Sequence, residues 1–335
     1  MQIICINVCM KKLNRLYIIL VIVTVSLLAV VWYAASRMVT PVTTTDKVSI
    51  VTTLYTWQYL AERIGGDYVT VTNIVPPGAE PHDFAPLPQD IAAVYSSDLF
   101  IMNGAGIEPW AETLTNADFS APHHITLEMT ADTALLAAVP ESAKDEANGA
   151  EADAEAVYSE FDPHIWLDPT IVKAKATTLR DTLSQLDPAH TAEYVAKTAV
   201  VVADLEALDD SIVDGLAQCE LDSIIVSHNA FTYFGQRYTI TLLPILGINP
   251  NATPSARTLA ELSDLAQTES IDTIFFETLT SPDLAQTLAD EIGAQTLVLN
   301  PLEGLTVDQT AQGEDYFSMM EQNLQNLQTA LHCQK

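Results

Sequence analysis

Short runs of β-branched and apolar residues alternate with segments of helical spacing along most of this chain, and that alternation limits what it can fold into. Residues 48–54 (VSIVTTL) read as a buried strand. Residues 55–64 (YTWQYLAERI) have helical spacing and stop at Gly65-Gly66, and residues 68–75 (YVTVTNIV) read as a strand ended by Pro76-Pro77-Gly78. A short helix near 89–95 and a strand at 98–102 (DLFIM) follow. Strands separated by helices in this way imply βα units and mostly parallel sheets.

Residues 137–160 break the pattern: they are rich in Ala, Glu and Asp, without apolar periodicity, and read as an acidic loop. Residues 169–186 and 188–219 then read as helices. The second would run about 30 residues, roughly 45 Å at 1.5 Å per residue, long enough to bridge two bodies rather than cover one. Alternation resumes with strands at 223–226, 240–246, 273–276 and 296–299 and helices at 230–236, 255–268, 282–292 and 315–331. The expected fold is therefore α/β: two βα lobes with mostly parallel sheets, residues 47–187 and 220–335, joined by a long rigid helix at 188–219.

The first forty residues differ from the rest. Lys11, Lys12 and Arg15 precede an uncharged run over residues 16–36, and the first acidic residue is Asp46. Bases followed by an apolar stretch match an export signal, and about twenty apolar residues suffice to span a bilayer core. Residues 1–39 are thus expected to act as a membrane anchor or a cleaved signal, with the body outside the cytoplasmic membrane. Cys5 and Cys9 precede the apolar run, which argues against lipid attachment at either. In an oxidising compartment the body's two cysteines, Cys219 and Cys333, are free to pair, the alternative being two buried thiols.

Charge narrows the function. The chain holds 14 Lys+Arg against 44 Asp+Glu, a formal −30, which opposes binding to nucleic-acid phosphates. No GxxxxGKS or GxGxxG loop is present. The chemistry instead concentrates at histidines. His82 lies in PPGAEPHDF just after a strand, His164 in FDPHIWLDP, and His228 ends a strand in IIVSHNAF. Ligands of open parallel sheets bind beyond the carboxyl ends of the strands, so loops from two lobes could meet in the cleft between them. Three imidazoles and one carboxylate would make a closed site suited to zinc, with manganese a weaker fit. His123 and His124 read as a surface pair, His190 and His332 have no partner motif, and Trp57, Trp110 and Trp166 read as packing residues. In an extended stretch Trp166 would share a face with His164.

The motifs PPGAEPHDF, NGAGIEPW, DPHIWLDP, SHNAFTYFGQRY, IFFETL and NPLEGLT, in this order, resemble the metal-binding lipoproteins and periplasmic proteins that feed zinc or manganese to ABC importers. The resemblance runs from about residue 48 to 331. It implies two lobes joined by a rigid helix, one metal in the cleft, and His82, His164 and His228 as ligands. His at the third position resembles the zinc branch. The fourth ligand it implies is an acid from a late strand-end loop, and Glu303 is preferred. Glu277 is the rival, otherwise a partner orienting a ligand His, and Glu80 could touch a metal-bound water. Many zinc-specific relatives carry a His-rich loop where 137–160 stands here; this segment holds no His.

The resemblance implies capture of Zn2+ (with Mn2+ as the alternative metal) and delivery to an ABC permease by a monomer, with no enzymatic role. A surface adhesin on the same fold is a second alternative. A zinc hydrolase would need an open coordination position, and HExxH is absent.

Overall fold

Strands β1 (Val48–Thr52), β2 (Val69–Asn73), β3 (Leu99–Met102) and β4 (Ile125–Glu128) form one sheet in the order β2-β1-β3-β4. Strands β5 (Ser223–Val226), β6 (Thr241–Pro244), β7 (Thr273–Phe276) and β8 (Gln295–Val298) form a second, in the order β6-β5-β7-β8. Every pairing in both is parallel. The two lobes thus repeat one topology, and all eight strands point their carboxyl ends at loops that can converge. This computed structural model describes Thr24 and residues 47–114, 124–138 and 160–334. Apart from Thr24, the expected export segment (1–39) lies outside the described residues, as do His123 and nearly all of the acidic segment 137–160. Among the described residues no helix is long and apolar enough to cross a membrane.

Side-chain alternation along the strands builds a core on each face of each sheet. In the first sheet Ile50, Leu99 and Ile101 face a central core, while Val51, Phe100 and Met102 face an outer one with Val94, Ala111 and Leu114. In the second, Ile224 and Val226 face the central core, and Ile225 and Ile274 pack outward on Leu262, Ala266, Leu288 and Ala289. The central core runs without a break through both lobes and the helix between them.

That linking helix, α5 (Thr191–Leu216), follows α4 (Pro169–Leu186) and packs along it. It buries Tyr194, Thr198, Val201, Leu205, Leu208 and Ile212, a 3–4 spacing that lays one stripe against the core. It is shorter than the sequence suggested, 26 residues or about 39 Å. Pro188–His190 forms a separate 3-10 turn, and His190, at φ −112°, is the N-cap that precedes the α-helix. At the far end the chain turns away: the N–H groups of Glu220 and Leu221 donate to Leu331 O, and Cys219 is joined to Cys333 by a disulfide. The cysteine pair left open by the sequence is therefore bonded, tying the end of the linking helix to the end of the chain. Two short helices escaped the sequence reading, α3 (Pro109–Glu112) and α9 (Val307–Gln312), both too brief for periodicity to register; α1 (Tyr55–Gly65), α2 (Pro88–Ser96), α6 (Thr232–Tyr238), α7 (Ala256–Glu269), α8 (Asp283–Ile292) and α10 (Tyr316–Ala330) complete the set described.

The seam between lobes is heavily hydrogen-bonded. Trp166 Nε1 donates to Pro301 O at 2.7 Å, Tyr316 Oη to Trp166 O at 2.9 Å, and Thr56 Oγ1 to Leu302 O at 3.1 Å.

Candidate metal centre

Each of the four preferred residues sits on a loop whose local sequence sets its direction. His82 follows β2 through Pro76-Pro77-Gly78, where Gly78 adopts φ +86°, a conformation glycine tolerates. His164 lies just before a 3-10 turn, Ile165–Leu167. Trp166 is therefore on a turn rather than in the extended stretch expected, although its ring still meets that of His164, with centroids 5.2 Å apart. His228 stands two residues past β5, and Glu303 five past β8, after Leu302 at φ +54°. Asn300 shapes that last loop by accepting the Leu302 N–H at 2.8 Å and donating to Thr278 Oγ1 at 3.2 Å.

A local device recurs at two of the histidines. In Glu80-Pro81-His82 and Asp162-Pro163-His164 an acid two residues upstream accepts the backbone N–H of the histidine, at 3.0 Å (Glu80 Oε1) and 2.9 Å (Asp162 Oδ1). The intervening proline restricts the backbone so that the short loop closes. Asp162 Oδ1 also accepts from His164 Nδ1 at 2.8 Å. Glu277, one residue beyond β7, does the same for His228 Nδ1 at 2.5 Å and takes the Ser227 hydroxyl as well. With Nδ1 held by a carboxylate, each of these rings turns its Nε2 inward, where loss of the Nε2 proton would free it as a ligand.

The inward atoms converge. His164 Nε2 lies 3.3 Å from His82 Nε2 and 3.4 Å from His228 Nε2; Glu303 Oε1 lies 3.6, 3.2 and 3.4 Å from the Nε2 atoms of His82, His164 and His228. All four ligand atoms fall within 4.8 Å of one another. Ligand atoms about 2.0–2.1 Å from a tetrahedral zinc lie about 3.3–3.4 Å apart, because a tetrahedron's edge is about 1.63 times its centre-to-corner distance. The five separations straddle that value. The donor set, three nitrogens and one oxygen, could hold zinc and is too nitrogen-rich for calcium.

The electrostatics match a cation. Burial opposes charge on Glu303, but hydrogen bonds from His164, His228 and His82 outweigh it and hold its carboxyl well below the usual carboxylate range. Burial lowers the pKa of His82. At His164 and His228 burial acts in the same sense, but Asp162 and Glu277 respectively overcome it; His164 is raised, and His228 well above its ordinary value. Glu80 is pushed up to about 9 by burial first and by the charge of Glu303 second, so near neutrality it is a neutral acid. Glu303 Oε2, Asp162 Oδ2, Glu277 Oε2 and Glu80 Oε2 are buried without a hydrogen-bond partner.

The structure thus brings His82, His164, His228 and Glu303 together and sets Glu277 behind His228. Asp162 was not singled out from sequence, although its spacing to His164 repeats that of Glu80 to His82. The other described histidines stay outside the cluster. His124 bonds Ser97 O and Thr126 Oγ1, His190 stacks on Tyr68 and bonds Asp187, and His332 pairs with Asp272.

The family model described as the periplasmic component A of the zinc-uptake complex matches residues 50–330. The zinc-binding lipoprotein AdcA of Streptococcus pneumoniae (strain TIGR4) is 34% identical over 281 residues, which cover 84% of this chain and 55% of that protein. The chain therefore spans about half the length of this and similar streptococcal relatives. The high-affinity zinc uptake system protein ZnuA of Bacillus subtilis is 31% identical, with 85% of this chain and 88% of that one covered. Among solved structures, the Zn(II)-bound ZnuA-like domain of S. pneumoniae AdcA superposes with a TM-score of 0.71 at 32% identity, covering 85% of this chain and 99% of that one. A laminin-binding adhesin, Lmb of Streptococcus agalactiae, matches at 27% identity with a TM-score of 0.73, over 85% of this chain and 99% of that one.

Proposed function

Because the chain belongs to the family of periplasmic zinc-uptake component A proteins, we propose that it captures Zn2+ between its two lobes outside the cytoplasmic membrane and hands the ion to an ABC permease. The ligands in this reading are His82, His164, His228 and Glu303. The observation that carries it is the set of ligand-atom separations, 3.2–3.6 Å, which fits the edges of a zinc tetrahedron. Glu277 orients His228, as the short contact to Nδ1 supports, so Glu303 and not Glu277 completes the sphere.

Four protein ligands leave no open position for a reacting water, which favours capture over hydrolysis. At the level of the family the role is transport. The manganese alternative is disfavoured by a nitrogen-rich, four-coordinate donor set. The adhesin alternative rests on relatives of lower identity, 27% against 31–34% for the zinc proteins. For working purposes residues 47–187 and 220–335 are the two metal-binding lobes and 188–219 the link. Residues 1–39 are taken as the tether or signal, and the protein as a monomer.

The test is elemental analysis followed by competition titration with Zn2+ and Mn2+ on wild type, Glu303→Ala and His82→Ala. The reading expects one zinc per chain, zinc preferred over manganese, and affinity lost by more than about tenfold in each variant with the fold retained. Absence of stoichiometric zinc, or a preference for manganese, would refute it.

A further inference from the structure

The residue after β3, Asn103, is fully buried and uses every polar group it has. Its N–H donates to Glu108 Oε1 at 2.6 Å, and its carbonyl accepts from Thr130 N and Oγ1, both at 2.9 Å. Its side-chain oxygen accepts from Trp57 Nε1 at 3.1 Å, and its amide nitrogen donates to Gly104 O at 3.1 Å and to Pro163 O at 3.0 Å. The last bond crosses 60 residues of chain to the peptide immediately before His164.

What holds Asn103 there is an unusual loop. Gly104, Ala105 and Gly106 all have positive φ, at +87°, +53° and +81°. Ala105 is strained in that region, and a Cβ on Gly104 would lie 2.4 Å from Glu128 Oε1 and 2.5 Å from Thr130 Oγ1. Turning this way points the N–H groups of Asn103 and Gly104 at one buried carboxylate: Glu108 takes them on Oε1 and Oε2, the second at 3.0 Å, and also takes the Thr53 hydroxyl at 2.5 Å. The motif NGAGIE is therefore a cradle for a carboxylate that fixes an asparagine, and the asparagine in turn fixes Pro163.

We propose that Asn103 is a positioning residue for the zinc site, setting the place of His164 through the Pro163 carbonyl, with Glu108 locking Asn103 from behind. The inference rests on the zinc-capture reading above. Asp162 fixes the rotation of the His164 ring from within its own loop; Asn103 fixes where that loop stands relative to the first sheet. His164 Nε2 lies 3.3 Å from His82 Nε2, 3.4 Å from His228 Nε2 and 3.2 Å from Glu303 Oε1, so its displacement disturbs three edges of the tetrahedron together.

The test separates positioning from core stability. Asn103→Asp keeps the acceptor for Trp57 and the backbone bonds but sets an oxygen against Pro163 O and Gly104 O. Thr130→Val removes a buried bond to the same asparagine without touching Pro163. Both variants should melt at lower temperature than wild type. Only Asn103→Asp should weaken zinc binding, by about 10- to 100-fold, and alter the visible d–d bands of the Co2+-loaded protein, which report the tetrahedral field. Glu108→Gln, which turns an amide toward the Gly104 N–H, should do the same to a smaller degree and serves if Asn103→Asp does not fold. Zinc affinity within about threefold of wild type, with an unchanged cobalt spectrum in the folded variant, would overturn the proposal, as would an equal affinity loss in Thr130→Val. Wild-type protein that binds neither zinc nor cobalt would overturn the capture reading itself, an outcome distinct from both.

Discussion

Removing Glu277 tests the proposed division of labour between the two acids of the second lobe. Its Oε1 accepts from His228 Nδ1 at 2.5 Å, while the same ring presents Nε2 to Glu303 Oε1 at 3.4 Å. Without the carboxylate, His228 Nδ1 has nothing to hold its proton, and the tautomer carrying the proton on Nε2 becomes accessible and cannot ligate. A hydrogen bond to a charged group is worth about 1.5–3 kcal/mol, equivalent to about 10- to 100-fold in affinity and the usual range for losing a carboxylate behind a metal-bound histidine. Glu277→Ala should therefore bind zinc about 10- to 100-fold more weakly, read by competition with a chelator of known zinc affinity. Glu277→Gln keeps an acceptor for Nδ1–H but no charge, and should fall between wild type and the alanine variant. Glu303→Ala, which removes a ligand, should lose more than either. An alanine variant within about threefold of wild type would refute the orienting role, and a larger loss at Glu277 than at Glu303 would refute the choice of fourth ligand.

Zinc affinity should fall as pH falls, because bound zinc requires neutral imidazoles. In the metal-free site His164 and His228 are raised above 6.5, so protons compete from above that value downward, whereas Glu303, held well below the carboxylate range, stays ionised throughout. The apparent constant should drop by about one to two powers of ten per pH unit across that window, and a constant affinity between pH 8 and pH 5 would contradict it. The Cys219–Cys333 disulfide, with a sequence separation of 114, encloses the whole second sheet. Chain-entropy reasoning gives about 5 kcal/mol for a loop of that size, so Cys219→Ser/Cys333→Ser should unfold at clearly lower urea; a change under about 1 kcal/mol would show that the loop entropy is not what the bond restricts.

The parts of this molecule that were legible in its sequence are those governed by local periodicity. Val51, Phe100 and Met102 against Ile50, Leu99 and Ile101 already spell two-faced strands, and the 3–4 spacing of Leu205, Leu208 and Ile212 spells a helix with one buried stripe. The clustering of the three proposed ligand histidines has a related reason: each lies close to Pro, Gly or a strand end, where a short loop can be fixed by its own residues. The acid–Pro–His device at Glu80 and Asp162 belongs to this local class and marks Asp162 two positions from His164, a signal the sequence offered and spacing alone could have caught. Glu277 and Asn103 belong to a different class, and the orienting role weighed for Glu277 comes from the motif resemblance rather than from local spacing. Glu277 meets His228 across 49 residues, and Asn103 meets Pro163 across 60, so neither contact has any counterpart in neighbouring sequence. The same holds just past the linking helix, where Cys219, Glu220 and Leu221 are held by Cys333 and Leu331 O from the far end of the chain. The proposed ligands are thus carried on loops closed partly by their own residues, while Glu277 and Asn103, which hold those loops in register, follow strands β7 and β3 and act across long stretches of chain. The orienting residues should therefore fail differently from the ligands when mutated: a ligand variant keeps the geometry and loses an atom, and an Asn103 or Glu277 variant keeps the atoms and loses the geometry.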